Sequence, residues 1–488
     1  MTEQRQSTRN IQQIISITLM CIFTGLIVVG GLDLTTPVFF SPNQQLRAHI
    51  YSQDRMIFTT YFYWYRAPCN ETYTLEDQWK VGNYTFPEEW PGPTTMEGGI
   101  LKNGWHDALT YHPPAQQPNY TIYGEVDGPL QSGIMENISA WFDWMNGSWH
   151  EWELRCMMRA GIDVLMPVYW WNGVHNYWAH EGLVTLVNSW HNLSDKVAHE
   201  ADLLYPAQAP HGQKYGESVL PKIAMFFDVT CMKQLYCWNR SMTEGANYTK
   251  CMDKEPGPNL DDPYWRDAFW KCIENFYDIV DINATFNWQD IAGHINNVVW
   301  LYSSGWFGDV GTTVFEYCRQ KFQQKYNRGL IFIGDAGWLK AGVDGVCGWG
   351  ACCPGPVLPS GRGIPVGGVG PGYYNLGALK VQTPQYRPRN QTVYKAKWQQ
   401  LIDKGAAWIH IETWNELFEG TGIAWAQEYG YEWIDVTRAM ADVFHNQSGK
   451  MPPISINMAE IFFPLVGFVG LCTWGLQILR RKRESIVI

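Results

Sequence analysis

Short apolar runs rich in β-branched and aromatic residues recur along the middle of this chain. Each is followed by a loop rich in Trp, Gly and Asp, and most stand next to a stretch of helical periodicity. The runs are 56–65 (MIFTTYFYWY), 162–171 (IDVLMPVYWW), 222–230 (KIAMFFDVT), 297–303 (NVVWLYS), 329–335 (GLIFIGD) and 407–413, which ends in WIHIET. Helical periodicity covers 140–160, 264–280, 313–326 and 392–404. Runs that do not alternate with polar residues are buried on both faces, as strands of parallel sheets are, and their alternation with helices builds βα units. Over about 420 residues the expected fold is α/β, a closed (β/α)8 barrel with long inserted loops. An open doubly wound sheet is the alternative, although no GxGxxG turn follows the first run. Residues 340–372 are rich in Gly and Pro and carry three cysteines, so they are expected to form a pinned functional loop. No internal repeat is visible, and one domain is expected.

The two ends constrain where this domain resides. Residues 14–32 and 461–479 are uncharged runs of equal length, long enough as helices to cross a bilayer core of about 30 Å. Arg480, Arg481, Lys482 and Arg483 follow the second run, and Arg5 and Arg9 precede the first. Basic flanks stay on the cytoplasmic side. The expected organisation is a cytoplasmic tail (1–13), a span (14–32), an outward-facing domain (33–458), a second span (461–479) and a cytoplasmic tail (480–488). A cleaved signal peptide is the alternative for the first run. Either way the middle faces the exterior or a lumen.

Two further features agree with that side of the membrane. Glycosylation sequons stand at Asn70, Asn83, Asn119, Asn137, Asn146, Asn192, Asn239, Asn247, Asn283, Asn390 and Asn446, all between the two runs. Ten cysteines lie there too: Cys69, Cys156, Cys231, Cys237, Cys251, Cys272, Cys318, Cys347, Cys352 and Cys353. In an oxidising compartment these are disulfide candidates, with Cys231, Cys237, Cys251 and Cys272 expected to pair among themselves. With no CxxC pair, no HExxH and scattered histidines, no metal site and no cofactor is expected. The net charge of −11 excludes a nucleic-acid binder, which needs basic surface against phosphate. Membrane or cell-surface protein partners remain open.

In a barrel, chemistry sits at the C-terminal ends of strands. Those ends carry Tyr63 and Tyr65, then Trp170 and Trp171, then Asp228, Tyr302 and Asp335, and finally Glu412-Thr-Trp-Asn-Glu416-Leu-Phe-Glu419. Aromatic planes cover the apolar faces of pyranose rings, and carboxylates bind hydroxyls and move protons. A sugar site is therefore expected, with Asn415 beside the acids. The plainer alternative for Asp228 and Asp335 is helix capping. Glu416 and Glu419 are harder to explain structurally, because residues 409–425 contain no Lys or Arg to neutralise them. An apolar setting raises a carboxyl pKa toward the range useful for acid–base work.

Five motifs in order resemble glycoside hydrolase family 99 and its WbsX-like relatives. Ala160-Gly-Ile-Asp-Val-Leu leading to Tyr-Trp-Trp resembles the family's second strand, and Tyr61-Phe-Tyr-Trp-Tyr65 its first. Gly370-Pro-Gly-Tyr373 resembles a late loop, and Tyr394 with Trp398 the helix before the last strand. The segment 414–424 matches N-E-W-H-E-G-T-Q-I-E at Asn415, Glu416, Glu419, Gly420, Thr421 and Ile423. The resemblance implies a (β/α)8 barrel and retaining endo-cleavage of α-mannosidic bonds. It also implies Glu416 as base on the sugar's own 2-hydroxyl, through a 1,2-anhydro sugar, and Glu419 as general acid and then base. Asp228, Tyr65, Tyr302 and Tyr373 would line the same site.

The chain departs from the family at Leu417 and Phe418, where the family has Trp and His, and at Gly422 and Ala424, where it has Gln and Glu. The leading expectation is thus a membrane-anchored glycoside hydrolase acting on an α-linked glycan. A glycan-binding or structural cell-surface glycoprotein on the same barrel is the alternative. A glycan-assembly enzyme is a third, and no nucleotide-sugar motif is visible for it.

Overall fold

The computed structural model describes residues 55–63, 144–174, 177–204, 220–290, 293–352, 355–361, 363–374, 386–417, 419–426 and 428–446. The chain divides into two units, Met1–Ser448 and Gly449–Ile488, and every described residue belongs to the first. Both uncharged runs, Tyr65, Cys69, Cys353, Phe418 and the sequons at Asn70, Asn83, Asn119 and Asn137 lie outside the described residues. Among the described residues no helix is long and apolar enough to cross a membrane.

Strands β1 (Met56–Tyr61), β2 (Val164–Tyr169), β3 (Lys222–Ile223), β4 (Met225–Phe227), β5 (Ile295–Leu301), β6 (Gly329–Gly334), β7 (Gly345–Val346), β8 (Val366–Val369) and β9 (Trp408–Ile411) form one parallel sheet. Sequence neighbours pair except at β7 and β8, which end the strand order; β3 and β4 act as one interrupted strand, and β1 pairs with β9 in the register Met56↔Trp408 to Thr59↔Ile411. A parallel bridge between Gly345 and Ile364 joins β7 to the approach of β8 and brings the ring to closure. The result is a nearly closed eight-position parallel barrel with helices outside, as expected from the alternation of runs.

Sequence chemistry explains the details. The break at Ala224 faces Met166 and Pro167 of β2, and a proline has no N–H to carry the ladder past that point. Helices α1 (Gly147–Ala160), α2 (Tyr177–Leu204), α3 (Thr230–Glu244), α4 (Tyr248–Lys254), α5 (Pro263–Ile279), α6 (Val314–Tyr326), α7 (Gln391–Asp403) and α8 (Glu432–Asn446) surround the sheet. Asn146, Asn247, Asp262 and Asn390 cap α1, α4, α5 and α7 through side-chain oxygens.

The region 340–372 differs from its expected loop, because it supplies two barrel strands. Glycine hides them from a pattern search, yet packing demands it: a Cβ on Gly367 would come within 2.6 Å of Leu401, and one on Gly368 within 3.1 Å of the Ala351 Cβ. Residues two apart share a face, so Trp408 and His410 of β9 point inward with Phe58 and Thr60 of β1. The lower layer is aromatic, with Phe58 5.0 Å from Trp408 and 5.5 Å from Trp300 between ring centres. Above it, His410 meets Trp300 at 4.9 Å and bonds Thr60 Oγ1 at 2.6 Å. Burial lowers the His410 pKa to about 3, so it is a neutral core group.

Candidate active site

The segment after β9 is held from both sides. The Trp414 amide donates to the Thr60 carbonyl at 2.8 Å. Asn415 accepts from the Phe62 amide at 2.7 Å and donates to the Phe62 carbonyl at 2.8 Å. Its side chain thus extends the β1–β9 ladder by one rung. The segment then folds back, with Ile423 N–H donating to Thr413 at 3.2 Å and Ala424 N–H to Trp414 at 2.7 Å. Gly422 lies backbone against backbone: a Cβ there would stand 2.7 Å from the Trp414 carbonyl oxygen and 2.9 Å from the Asn415 Cα. Arg389 ties the turn by donating to the carbonyls of Gly420 and Gly422 at 3.1 and 2.7 Å.

This hairpin presents three acids. Glu416 is buried, with its amide donating to Thr413 Oγ1 at 3.0 Å. Glu419 is half-buried, and desolvation raises its pKa. Glu412 is buried, and its carboxylate accepts amide bonds from Gly350 (3.0 and 2.8 Å) and Ala351 (2.6 Å). Desolvation outweighs those bonds and, with help from the Glu419 charge, puts Glu412 at about 7. The sequence places Glu412 at the same strand end as Glu416 and Glu419, but only the structure shows the amides it accepts from.

Across the mouth, Asp228 is buried and raised to about 6 by desolvation; bonds from the Thr230 hydroxyl (2.7 Å) and amide (3.0 Å) and the nearby Trp170 indole act the other way. The Tyr302 phenol is raised first by desolvation and then by the charges of Asp228, Glu419 and Glu412 and by Tyr373, so it stands within electrostatic reach of all four. Asp335 caps the turn Ala336–Ala341 and also accepts from the Ser304 hydroxyl and amide at 2.6 and 2.7 Å, so capping accounts for its oxygens. Tyr63 is buried, packs on Trp178 and donates to the Ala179 carbonyl at 2.8 Å. It is a core residue, not the sugar contact expected. Trp170 and Trp171 are half-buried against Trp178 and His180.

A cavity of about 270 Å3 opens beside Tyr302, walled by Phe226, Trp300 and Trp349 with Asp335 and Cys347 at its edge. Trp349 comes from the 347–352 turn and packs on Phe226 (5.6 Å), Tyr302 (5.6 Å) and His410 (5.8 Å) over the barrel axis. Nothing in a Gly- and Cys-rich stretch signals that role. Glu153 was equally hidden. Buried on α1, it accepts from the indoles of Trp414 (2.6 Å) and Trp149 (3.1 Å), and desolvation raises it to about 7.

The cysteines divide. Cys237 and Cys251 form a disulfide, while Cys231 and Cys272 are buried thiols in contact. The expected mutual pairing of these four is thus made in one pair. Cys156, Cys318, Cys347 and Cys352 are also buried thiols. Among the described sequons, Asn192, Asn247, Asn283, Asn390 and Asn446 are exposed and Asn146 and Asn239 half-buried. Among the described residues no cluster of three or more His, Cys, Asp or Glu could hold a metal ion.

The fold and the acids at its mouth define a (β/α)8 barrel protein with an aromatic, acidic site at the C-terminal ends of its strands. Residues 141–451 match the family described as "Domain of unknown function (DUF5010)", and the chain belongs to it. It is similar to the solved GH99 endo-α-mannosidase from Bacteroides thetaiotaomicron, at 14% identity and a TM-score of 0.46, over 80% of this chain and 97% of that one. It is likewise similar to the GH99 endo-α-mannosidase from that organism in complex with bis-tris-propane, at 13% identity and a TM-score of 0.44, over the same shares. These neighbours bear the family name that the sequence motifs resemble. No curated protein matches the chain.

Proposed function

We propose that this protein is a glycoside hydrolase that cleaves an α-linked glycan with retention, on the outer or luminal side of the membrane to which its two apolar runs anchor it. What supports the reading is that Tyr302, which lines a cavity of sugar scale, lies within the electrostatic reach of Asp228, Glu412 and Glu419, and that burial raises the Glu419 carboxyl. The cavity approaches the roughly 300 Å3 at which small-molecule sites begin.

In the first step Glu416 takes the proton of the 2-hydroxyl, O2 attacks the anomeric carbon from the face opposite the leaving group, and Glu419 protonates the departing oxygen. A 1,2-anhydro sugar results. In the second step Glu419 takes a proton from water, the hydroxide attacks the anomeric carbon, and the epoxide C1–O2 bond breaks. O2 recovers its proton from Glu416. Two inversions give net retention, and both glutamates return to their starting states. Asp228 and Tyr302 hold the ring.

One observation favours the second reading, a glycan-binding protein without turnover. Trp349 stands over the barrel axis, and the lining of the 270 Å3 cavity includes neither Glu416 nor Glu419. The test is product analysis after incubating the full chain with α-linked oligosaccharides, α-mannosides first. The Glu419→Gln variant should lose cleavage of natural glycans and keep binding, while substrates with good leaving groups are spared more. Equal turnover by both proteins removes Glu419 from its role. Binding without turnover by the wild type establishes the second reading.

A further inference from the structure

We propose that Glu412 is a positioning residue, a latch that holds the 347–352 turn in the barrel mouth and so keeps Trp349 in place as a wall of the cavity. The turn is bracketed by an acid and a base. Its amides at Gly350 and Ala351 donate to the Glu412 carboxylate, and its Ala351 carbonyl accepts from the buried Lys397 Nζ at 3.2 Å. Lys397 also donates to Gly370 at 3.2 Å, and the Cys352 thiol donates to the Glu412 carbonyl at 2.6 Å. Glycine makes the fit: a Cβ on Gly370 would stand 2.1 Å from Cys352 Sγ and 2.7 Å from the Glu412 carbonyl oxygen. Trp349, adjacent to the latched amides, reaches Phe226 and Tyr302 only while the turn stays down.

A carboxylate is a costly choice for a purely structural clip, since burying it beside Glu419 disfavours its charge. The groups facing it are Lys397 on α7, which favours the charge, and Glu419, which opposes it. The Cys347 and Cys352 thiols and the Tyr302 phenol face it as well, all raised and therefore neutral. With Glu412 at about 7, the charged latch prevails above that pH and the neutral acid below it. Amide bonds to a neutral acid are weaker than those to a carboxylate, so the turn loosens on acidification.

Only the naming of the occupant as a sugar rests on the proposed function. Hydrogen–deuterium exchange on the full chain in detergent, corrected for intrinsic rates, reads the Gly350 and Ala351 amides directly. Their protection should be roughly tenfold lower at about pH 5.5 than at about pH 8. Hydroxyl-radical oxidation of Trp349 should rise over the same interval. The Glu412→Gln variant should show the loosened state at both pH values, while peptides from β1 and β9 keep their protection. Protection and oxidation that do not change with pH overturn the latch, as does a Glu412→Gln variant that behaves like wild type at pH 8. If that variant fails to fold, the wild-type comparison decides alone. None of these readouts needs a glycan, so failure of the latch and failure of the proposed function are told apart.

Discussion

Replacing Asn415 by Asp tests the rung that joins the active-site hairpin to β1. The two side chains have the same shape, so Asp keeps the bond from the Phe62 amide, 2.7 Å in the wild type. Its second oxygen, however, takes the place of the Nδ2 that donates to the Phe62 carbonyl at 2.8 Å. Ionised, that oxygen faces another acceptor in a site where Asn415 is only 1% exposed. A buried unpaired acceptor together with a buried charge costs about 3 kcal/mol. Protonated, the Asp hydroxyl donates to the carbonyl and restores the pair. About 3 kcal/mol corresponds to a folded-state pKa roughly 2 units above the ordinary value of about 3.9, near 6. Because the folded value is raised, the variant matches wild type below about pH 4 and loses stability as pH rises through about 6. Glu153, Glu412 and Asp228 titrate in both proteins, so the difference between them reads the new carboxyl and its coupling to these acids. Thermal unfolding of the full chain in detergent should show melting points within about 1 °C at pH 4 and a deficit of roughly 3–4 °C at pH 7.5. A deficit of equal size at both pH values, or none at the higher one, would refute the reasoning.

Three further outcomes follow from the structure. Gly422→Ala presses a Cβ onto the backbone of Trp414, Asn415 and Glu416, and should cost about 1–3 kcal/mol and disturb Glu416 and Glu419 together; a fully stable variant contradicts the hairpin geometry. N-ethylmaleimide under native conditions should leave Cys156, Cys231, Cys272, Cys318, Cys347 and Cys352 unmodified, and non-reduced digests should contain the Cys237–Cys251 cross-link. Rapid labelling of those thiols before unfolding would contradict their burial. In sealed right-side-out vesicles, epitopes at both tails should resist added protease; digestion of either tail from outside would overturn the two-span reading.

The barrel was legible in the sequence where burial on both faces left an uninterrupted apolar run, as at 222–230 and 329–335. It was illegible at 345–346 and 366–369, because strands that must admit the 347–352 turn carry glycine where the pattern looks for Val or Ile. The acids at strand ends were legible as a group, since Glu416 and Glu419 have no basic neighbour in sequence. Their division of labour was not. Asn415 looks like a polar ligand until its partner, Phe62, is known, and that partner lies 353 residues away. Glu153 reads as an ordinary helix glutamate, and only the tertiary contact with Trp414 reveals it as a buried acceptor. Tyr63 sits at a strand end, but Gly182 on α2 leaves room for its ring, whose edge a Cβ there would touch at 2.7 Å. What escaped the sequence is pairwise and long-range.

The pairing of β1 with β9 also sets a timetable for the molecule. Met56 finds Trp408, and Phe62 finds Asn415, only after the ribosome has made more than three hundred intervening residues. At about 5–20 residues per second this takes on the order of 20–70 s, during which one edge of the first strand has no partner. Glu412, Glu416 and Glu419 arrive with that last strand, on the segment that the first strand is waiting for. The three acids therefore arrive with the closing strand itself, and a nascent or truncated chain carries the cavity's aromatic lining from β4 and β5 without any of the glutamates of the closing segment.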